Sequence, residues 1–334
     1  MAGGSGRTNR GVTISGWGVS LPETEVTNQD LTTLFDTSDE WIVERSGIHS
    51  RRVATGPFVP GPDIQADENG VGATAALAIE AGRQALARAG VEPREVSLLI
   101  LCTTTPDQAV PATSAAVAAA LGIGGGAMDL NAACAGFTYG MVTAHGMVAG
   151  GLDRVLLIGA ETLSRLTNWT DRTNAFLFGD GAGALLFEAV GGDDGLLGWD
   201  LGVDGSLVSI LYADHVGPGM AMKGKEVFRR AVRATVESAT LSLERAKVDP
   251  AEVALFVPHQ ANWRIMTAVA ERLSIPTDRI ASVIGHTGNT SSASIPLALI
   301  DALEAGRVHA DDVILLAGFG AGMTWASAVW RWLG

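Results

Sequence analysis

Three residues of this chain have the types and settings for chemistry on a carbonyl group. They are Cys134 in NAACAGF, His259 in VPHQAN and Asn289 in GNTSS. A thiolate is a nucleophile towards carbonyl carbons, and hydrogen-bond donors stabilise a carbonyl oxygen that gains negative charge. Together the three predict a thiol nucleophile with two donors.

Cys134 follows a turn-like segment and precedes small and apolar residues, 135–148, that predict a buried helix. Its sulfur would then lie at a helix N-terminus, which favours a thiolate and lowers the pKa below the free value of about 8.5. The alternative is a small buried hydrophobe, the commoner fate of a free cysteine. Cys102 is assigned to that alternative.

His259 ends an apolar strand, at the kind of edge where α/β folds bind ligands. A hydrogen-bonded core histidine is an equally good interpretation of this residue alone. For Asn289 alone, plain turn chemistry is the better one. No two histidines or cysteines have the spacing of a metal site, so no metal is predicted.

Two glycine-rich segments, 179–183 (GDGAG) and 318–322 (GFGAG), lack both the P-loop and the dinucleotide fingerprints. They predict close backbone approach, which can direct main-chain N–H groups at an oxyanion. Residues 222–233 carry five basic residues against Glu226 alone, and Arg264 follows His259 by five positions. This basic run indicates either a solvated helix face or a docking site for an acidic partner or phosphates.

The chain has 334 residues, 47% of them hydrophobic, and a net charge of -13. This charge argues against nucleic acid as a partner, and two cysteines in such a length indicate a reducing cytosol. Residues 1–10 are too polar for a signal peptide and predict a mobile leader. The apolar run 313–330 is interrupted by glycines, so two short buried strands explain it better than a membrane span.

An internal duplication is visible: residues 88–96 (RAGVEPREV) recur as residues 245–253 (RAKVDPAEV), 157 positions later. Each half alternates helices with apolar strands of the kind buried in a mostly parallel sheet. We therefore predict a layered α/β/α/β/α sandwich with halves 11–190 and 191–334. A pseudo-twofold axis would bring Cys134, His259 and Asn289 to one central cleft.

As a set, the motifs resemble β-ketoacyl-acyl carrier protein synthase III, the initiating ketosynthase of the thiolase superfamily. The resemblance covers nearly the whole chain. It rests on residues 37–42, 45–48, the Cys134 segment, 178–183, 224–228, 257–262, 286–294 and 318–325.

The resemblance implies a homodimer without a cofactor, whose substrates are acyl-CoA and malonyl-acyl carrier protein. Cys134 would take the acyl group, while His259 and Asn289 would stabilise the enolate formed as carbon dioxide leaves. The backbone N–H groups of Cys134 and Ala321 would form the oxyanion hole, although the family often has glycine at the latter position. Phe319 matches the aromatic residue beside the departing carboxylate.

The resemblance also assigns binding surfaces. Coenzyme A would contact Trp41 and Arg172, with Arg45 at the tunnel mouth, and the acidic carrier protein would dock on Arg229 and Arg264. Val110 matches a position that reaches into the partner subunit's primer pocket, where the family often has a larger or differently shaped residue. Segment 53–70 is longer than usual and segment 205–220 shorter, so the primer and the choice between fatty acid and polyketide synthesis stay open.

Two rivals remain. An acyltransferase of the same fold would pass the acyl group to another acceptor without decarboxylation. A non-catalytic partner of another ketosynthase would be expected to lack the nucleophile, and Cys134 is present.

Overall fold

The computed structural model describes residues 10–59, 66–213 and 219–334. Most of the predicted leader and parts of segments 53–70 and 205–220 therefore lie outside the described residues. Arg10, which the sequence assigned to the leader, is instead the first residue of a strand, and its guanidinium pairs with Asp153 at 2.7 Å.

The described strands are β1 (Arg10–Ser20), β2 (Glu25–Thr27), β3 (Ser50–Arg52), β4 (Leu98–Cys102), β5 (Gly126–Leu130), β6 (Arg154–Thr162), β7 (Asp180–Gly191), β8 (Leu196–Val203), β9 (Leu211–Ala213), β10 (Met220–Met222), β11 (Val253–Pro258), β12 (Val313–Gly320) and β13 (Thr324–Arg331). The α-helices are α1 (Asn28–Leu31), α2 (Asp39–Ser46), α3 (Ala73–Ala89), α4 (Thr113–Leu121), α5 (Gly136–Ala149), α6 (Gly224–Ala246), α7 (Trp263–Arg272), α8 (Ile284–Thr287) and α9 (Ser294–Glu304).

Two sheets carry the architecture. The first has the order β1-β7-β6-β4-β5 and the second the order β11-β12-β13-β8. Helices α3 and α4 cover the outer face of the first sheet, α6 packs on the outer face of the second with α7 against it, and α5 and α9 lie between the sheets. The predicted five-layered sandwich is confirmed.

The internal repeat reappears in this topology. In each half a long helix, α3 or α6, runs into a short 3-10 turn and then into a strand, β4 or β11, that pairs in parallel with the next. Among the described residues of the second half, the counterpart of the edge strand β5 is a single bridge, Phe256 with Ile280. The two sheets are therefore similar but not equal, because the first has five strands and the second four.

Strands β12 and β13 occupy the apolar run near the C-terminus and are antiparallel neighbours joined by a glycine-containing turn. This confirms the sequence prediction of two buried strands. Among the described residues, no helix is both long and apolar enough to cross a membrane.

Candidate active site

One cavity of about 1040 Å³ collects most of the residues predicted to be functional. Its lining includes Arg45, Cys134, His259, Asn289, Phe319 and Ala321. Residues more than 150 positions apart in the chain thus share one site, as the predicted symmetry requires. Among the described residues, no group of three His, Cys, Asp or Glu side chains is placed to hold a metal ion.

Cys134 lies between β5 and α5, two residues before that helix begins. The turn that presents it includes Ala133 with a φ of +49°. A Cβ atom on Gly320 would lie 2.6 Å from the backbone nitrogen of Cys134, so only glycine lets β12 approach so closely. The next residue, Ala321, lines the same cavity as Cys134. The glycine-rich segment 318–322 gives the close approach that the sequence predicted.

The pKa of Cys134 shifts in the direction opposite to the sequence prediction. Burial of the thiol raises its pKa to about 12, and the negative charge of Glu161 acts in the same direction. The helix α5 does begin where predicted, but loss of solvation at the partly buried thiol raises the pKa by more than its hydrogen bonds with Ser291 and its own backbone lower it. The thiol is thus protonated in the resting protein at neutral pH.

His259 follows β11, and its backbone N–H donates to the carbonyl of Ala317 at 2.8 Å. The residue is only 2% exposed, and its ring packs edge-on against Phe319 with centroids 5.4 Å apart. Nδ1 lies 2.6 Å from Oγ of Ser294, so Nε2 is the ring nitrogen available to a ligand. Burial lowers the pKa of His259 to about 3, and the imidazole is therefore neutral at physiological pH.

Asn289 lies in the loop after α8, and its backbone is fixed to a neighbouring segment. Its N–H donates to the carbonyl of Leu177 at 2.8 Å, and its carbonyl accepts the N–H of Gly179 at 3.0 Å. The side-chain oxygen accepts the N–H of Ser291 at 2.9 Å. Within the described part of the chain no hydrogen bond uses the amide nitrogen, which leaves it as a donor for a ligand.

Around the cavity mouth, three predicted coenzyme A contacts form a cluster. The guanidinium carbon of Arg45 lies 4.3 Å from the ring centroid of Trp41, and that of Arg172 lies 5.4 Å from it. Trp41 in turn packs edge-on against Phe176, which lines the cavity. Trp41 and Arg172 do not line the cavity themselves but stand beside residues that do.

The predicted docking residues Arg229 and Arg264 are exposed and flank Phe228, another lining residue. Arg264 lies 6.0 Å from the Phe228 ring. Between described residues, neither arginine forms an ion pair, whereas Arg233 on the same helix pairs with Glu237 at 2.7 Å. These two exposed arginines beside Phe228 thus carry positive charge that no described carboxylate pairs with.

Val110 does not line the cavity of its own chain and is 86% exposed, although its neighbour Ala109 is a lining residue. The structure therefore does not place Val110 in the site of its own chain, and the predicted contact with a partner subunit stays a prediction.

Sequence reasoning missed Glu161, a fully buried carboxylate behind the site. It accepts hydrogen bonds from Thr105 Oγ1 at 2.6 Å, from the N–H of Thr104 at 3.0 Å and from Ser292 Oγ at 2.9 Å. It therefore joins the lining segment after β4 to the loop that carries Asn289. The only signal in the sequence is an acidic residue that follows the apolar stretch 155–160 of strand β6.

Comparison with known proteins gives a consistent result. Residues 128–205 match the family model 3-oxoacyl-[acyl-carrier-protein] synthase III, and residues 243–332 match the model of its C-terminal part. These ranges contain Cys134, His259 and Asn289. The chain is 42% identical to the β-ketoacyl-[acyl-carrier-protein] synthase III of Geobacillus kaustophilus, over 96% of this chain and 99% of that protein.

Solved structures agree with the sequence matches. The 3-oxoacyl-[acyl-carrier-protein] synthase III of Aquifex aeolicus superposes with a TM-score of 0.89 at 40% identity, covering 96% of this chain and 100% of that one. The priming β-ketosynthase of the R1128 polyketide pathway also gives 0.89, at 34% identity and 99% coverage of both chains. The fold is therefore that of the thiolase-like ketosynthases.

Proposed function

Because this chain belongs to the β-ketoacyl-[acyl-carrier-protein] synthase III family, we propose that Cys134, His259 and Asn289 carry out its reaction. The reaction is a decarboxylative Claisen condensation. An acyl group from coenzyme A joins the two carbons that remain when malonyl-acyl carrier protein loses carbon dioxide, which gives a β-ketoacyl-acyl carrier protein.

In the first half-reaction, Sγ of Cys134 attacks the thioester carbonyl of acyl-CoA. The backbone N–H groups of Cys134 and Ala321 stabilise the oxyanion, and the close approach at Gly320 supports this pairing. Coenzyme A leaves as a thiol, so the proton lost by Cys134 ends on the sulfur of coenzyme A. Because the thiol is protonated at rest, proton loss accompanies attack rather than preceding it.

In the second half-reaction, Nε2 of His259 and the amide nitrogen of Asn289 donate to the malonyl thioester carbonyl. The C–C bond to the carboxylate breaks and carbon dioxide leaves. The electron pair of that bond forms the enolate, which these donors stabilise. The enolate carbon attacks the acyl group and expels the Cys134 thiolate, which takes up a proton from water to restore the resting thiol. Phe319, against the His259 ring, gives the carboxylate an apolar surrounding that favours neutral carbon dioxide. Both substrates are activated thioesters, so the reaction needs no cofactor.

The observation that supports this assignment best is the meeting of one thiol and two differently held donors in a single cavity. We would incubate the protein with a panel of acyl-CoA donors, measure the acyl mass on Cys134, and then add malonyl-acyl carrier protein. Carbon dioxide and a β-ketoacyl product are expected, and the best donor identifies the primer. Transfer of the intact acyl group without carbon dioxide would instead establish the rival acyltransferase.

The two substrates are proposed to enter over separate surfaces. We expect Trp41→Ala to raise the KM for acyl-CoA about tenfold, because a stacking surface for adenine is lost.

The double change of Arg229 and Arg264 to Glu is expected to raise the KM for malonyl-acyl carrier protein by about tenfold or more, since an acidic partner is then repelled. Steady-state kinetics with each substrate varied in turn provides the check.

Each variant is the control for the other. The arginine effect should shrink at high salt, whereas the Trp41 effect should not. If both variants raised both KM values equally, the assignment of separate surfaces would be wrong.

A homodimer is proposed from the outer side of β5, which pairs with β4 on one side and has no strand neighbour on the other among the described residues, and from the exposed Val110. Pairing of two β5 edges would cover this edge and bring each Val110 to the other chain's cavity. Light scattering at micromolar concentration is expected to give the mass of two chains. A single-chain mass with full activity would contradict the proposal.

The two free cysteines suit a cytoplasmic location, which cell fractionation would test.

A further inference from the structure

Ser294 lies outside the cavity and contacts Nδ1 of His259, the ring nitrogen that is not available to a ligand. The serine is the first residue of α9 and is fully buried. Its Oγ lies 2.6 Å from Nδ1 of His259 and also accepts the backbone N–H of Gln260 at 3.3 Å. It is not part of the cavity lining, so any effect on substrate must pass through the histidine.

The direction of the Ser294–His259 hydrogen bond follows from the partners of the serine. Its oxygen already accepts one N–H, from Gln260. If Nδ1 also carried a proton, that oxygen would accept twice, and no acceptor for the serine proton is found among the described residues. If Nδ1 is unprotonated, the serine donates to it and every group is satisfied.

Gln260 fixes the position of this arrangement. Its side-chain nitrogen donates to the carbonyls of Pro258 and Ala281 at 2.6 and 3.2 Å, and its oxygen accepts the N–H of Val283 at 3.1 Å. The backbone beside His259 therefore has little freedom, which keeps Nδ1 of the ring within reach of Ser294.

We infer that Ser294 is a positioning residue, which holds neutral His259 in the tautomer with its proton on Nε2. A neutral imidazole has only one N–H, so its tautomer decides whether the ring can donate to the malonyl thioester. Without the serine, the Nδ1–H form becomes accessible and the cavity loses a donor. This inference rests on the proposed donor role of His259, and it adds the residue that maintains that role.

The test is a direct measurement of the tautomer. Protein with ring-15N histidine is compared with its His259→Ala variant, which identifies the His259 signals. In the wild type we expect an unprotonated Nδ1 and a protonated Nε2, with no change between pH 6 and 8 because burial keeps the ring neutral. A protonated Nδ1 in the wild type would overturn the inference without any variant.

Kinetics supply the second readout. In Ser294→Ala we expect mixed tautomers and a kcat for condensation lowered about 10- to 100-fold, the range typical of partners that orient functional histidines. Acylation of Cys134 should stay near the wild-type rate, and Ser294→Thr, which keeps a hydroxyl, should restore most of the activity. Ser242→Ala, which removes a buried serine hydroxyl bonded to Ser327 at 2.6 Å, is the matched control.

The outcomes separate two failures. If Ser294→Ala matches the Ser242 control while His259→Ala loses condensation, the inference about Ser294 is wrong and the donor role stands. If His259→Ala condenses normally, the proposed function of the histidine fails first.

Discussion

Cys134→Ala should form no acyl-enzyme with any acyl-CoA, and condensation should fall by at least about 10⁴-fold, as losses of catalytic nucleophiles do. The variant nevertheless retains both donors, His259 and Asn289, because neither is held by the thiol. Decarboxylation of malonyl-acyl carrier protein should therefore continue, with acetyl-acyl carrier protein as product. Intact-protein mass and released carbon dioxide measure the two activities separately.

Cys102→Ala is the matched control for this experiment. Cys102 is the other free cysteine, fully buried at the end of β4, and burial raises the pKa of its thiol. The control should acylate and condense like the wild type. Acyl mass on the Cys134 variant would show a different nucleophile and refute the assignment, whereas loss of decarboxylation together with acylation would point to a disturbed fold, to be checked by thermal unfolding.

Sequence and structure differ most on the pKa of the Cys134 thiol. The sequence correctly predicted the helix after Cys134, and from it a lowered pKa. The sign of the shift depends on how deeply the sulfur is enclosed by residues of both halves, and a local sequence pattern contains no measure of that depth. Burial therefore reversed the predicted direction.

The architecture was more accessible to sequence reasoning. The recurring segment at 88–96 and 245–253 is local and repeated, so it predicted two related sheets and a shared cleft before any contact was known. Partners such as Ser294 for His259, or Glu161 for Ser292, lie 35 and 131 positions apart. Serine and glutamate are common in many settings, and only the packing of α9 and β6 shows what these two contact.

The same long-range contacts underlie the prediction for the two donors. Replacement of His259 by alanine, or of Asn289 by alanine, is expected to lower decarboxylation and condensation by about 10²- to 10³-fold each, the usual effect of removing one oxyanion donor. Acylation of Cys134 should continue at nearly the wild-type rate, since the oxyanion of that step is held by backbone groups. The rates of single-turnover acylation and of carbon dioxide release, measured on the same samples, would give the ratio of acylation to decarboxylation for each variant.

The two donors should not contribute independently, because both bind one oxygen. The double variant is expected to lose less than the product of the single losses. His309→Ala, at an exposed histidine in the loop before β12, is the control and should behave as the wild type. If the His259 variant decarboxylated at the normal rate, the donor role of His259 would be wrong. A group other than His259 would then have to stabilise the enolate together with Asn289.

The pH dependence provides an independent check on the state of the histidine. Since the pKa of His259 is lowered to about 3, the unfolded chain binds a proton at this position between about pH 6.5 and 3 and the folded chain does not. The stability contribution of the neutral ring is therefore fully present above pH 6.5 and is lost as the pH falls towards 3. Decarboxylation should show no histidine step near pH 6.5, because a ring already neutral at that pH donates equally well on both sides of it.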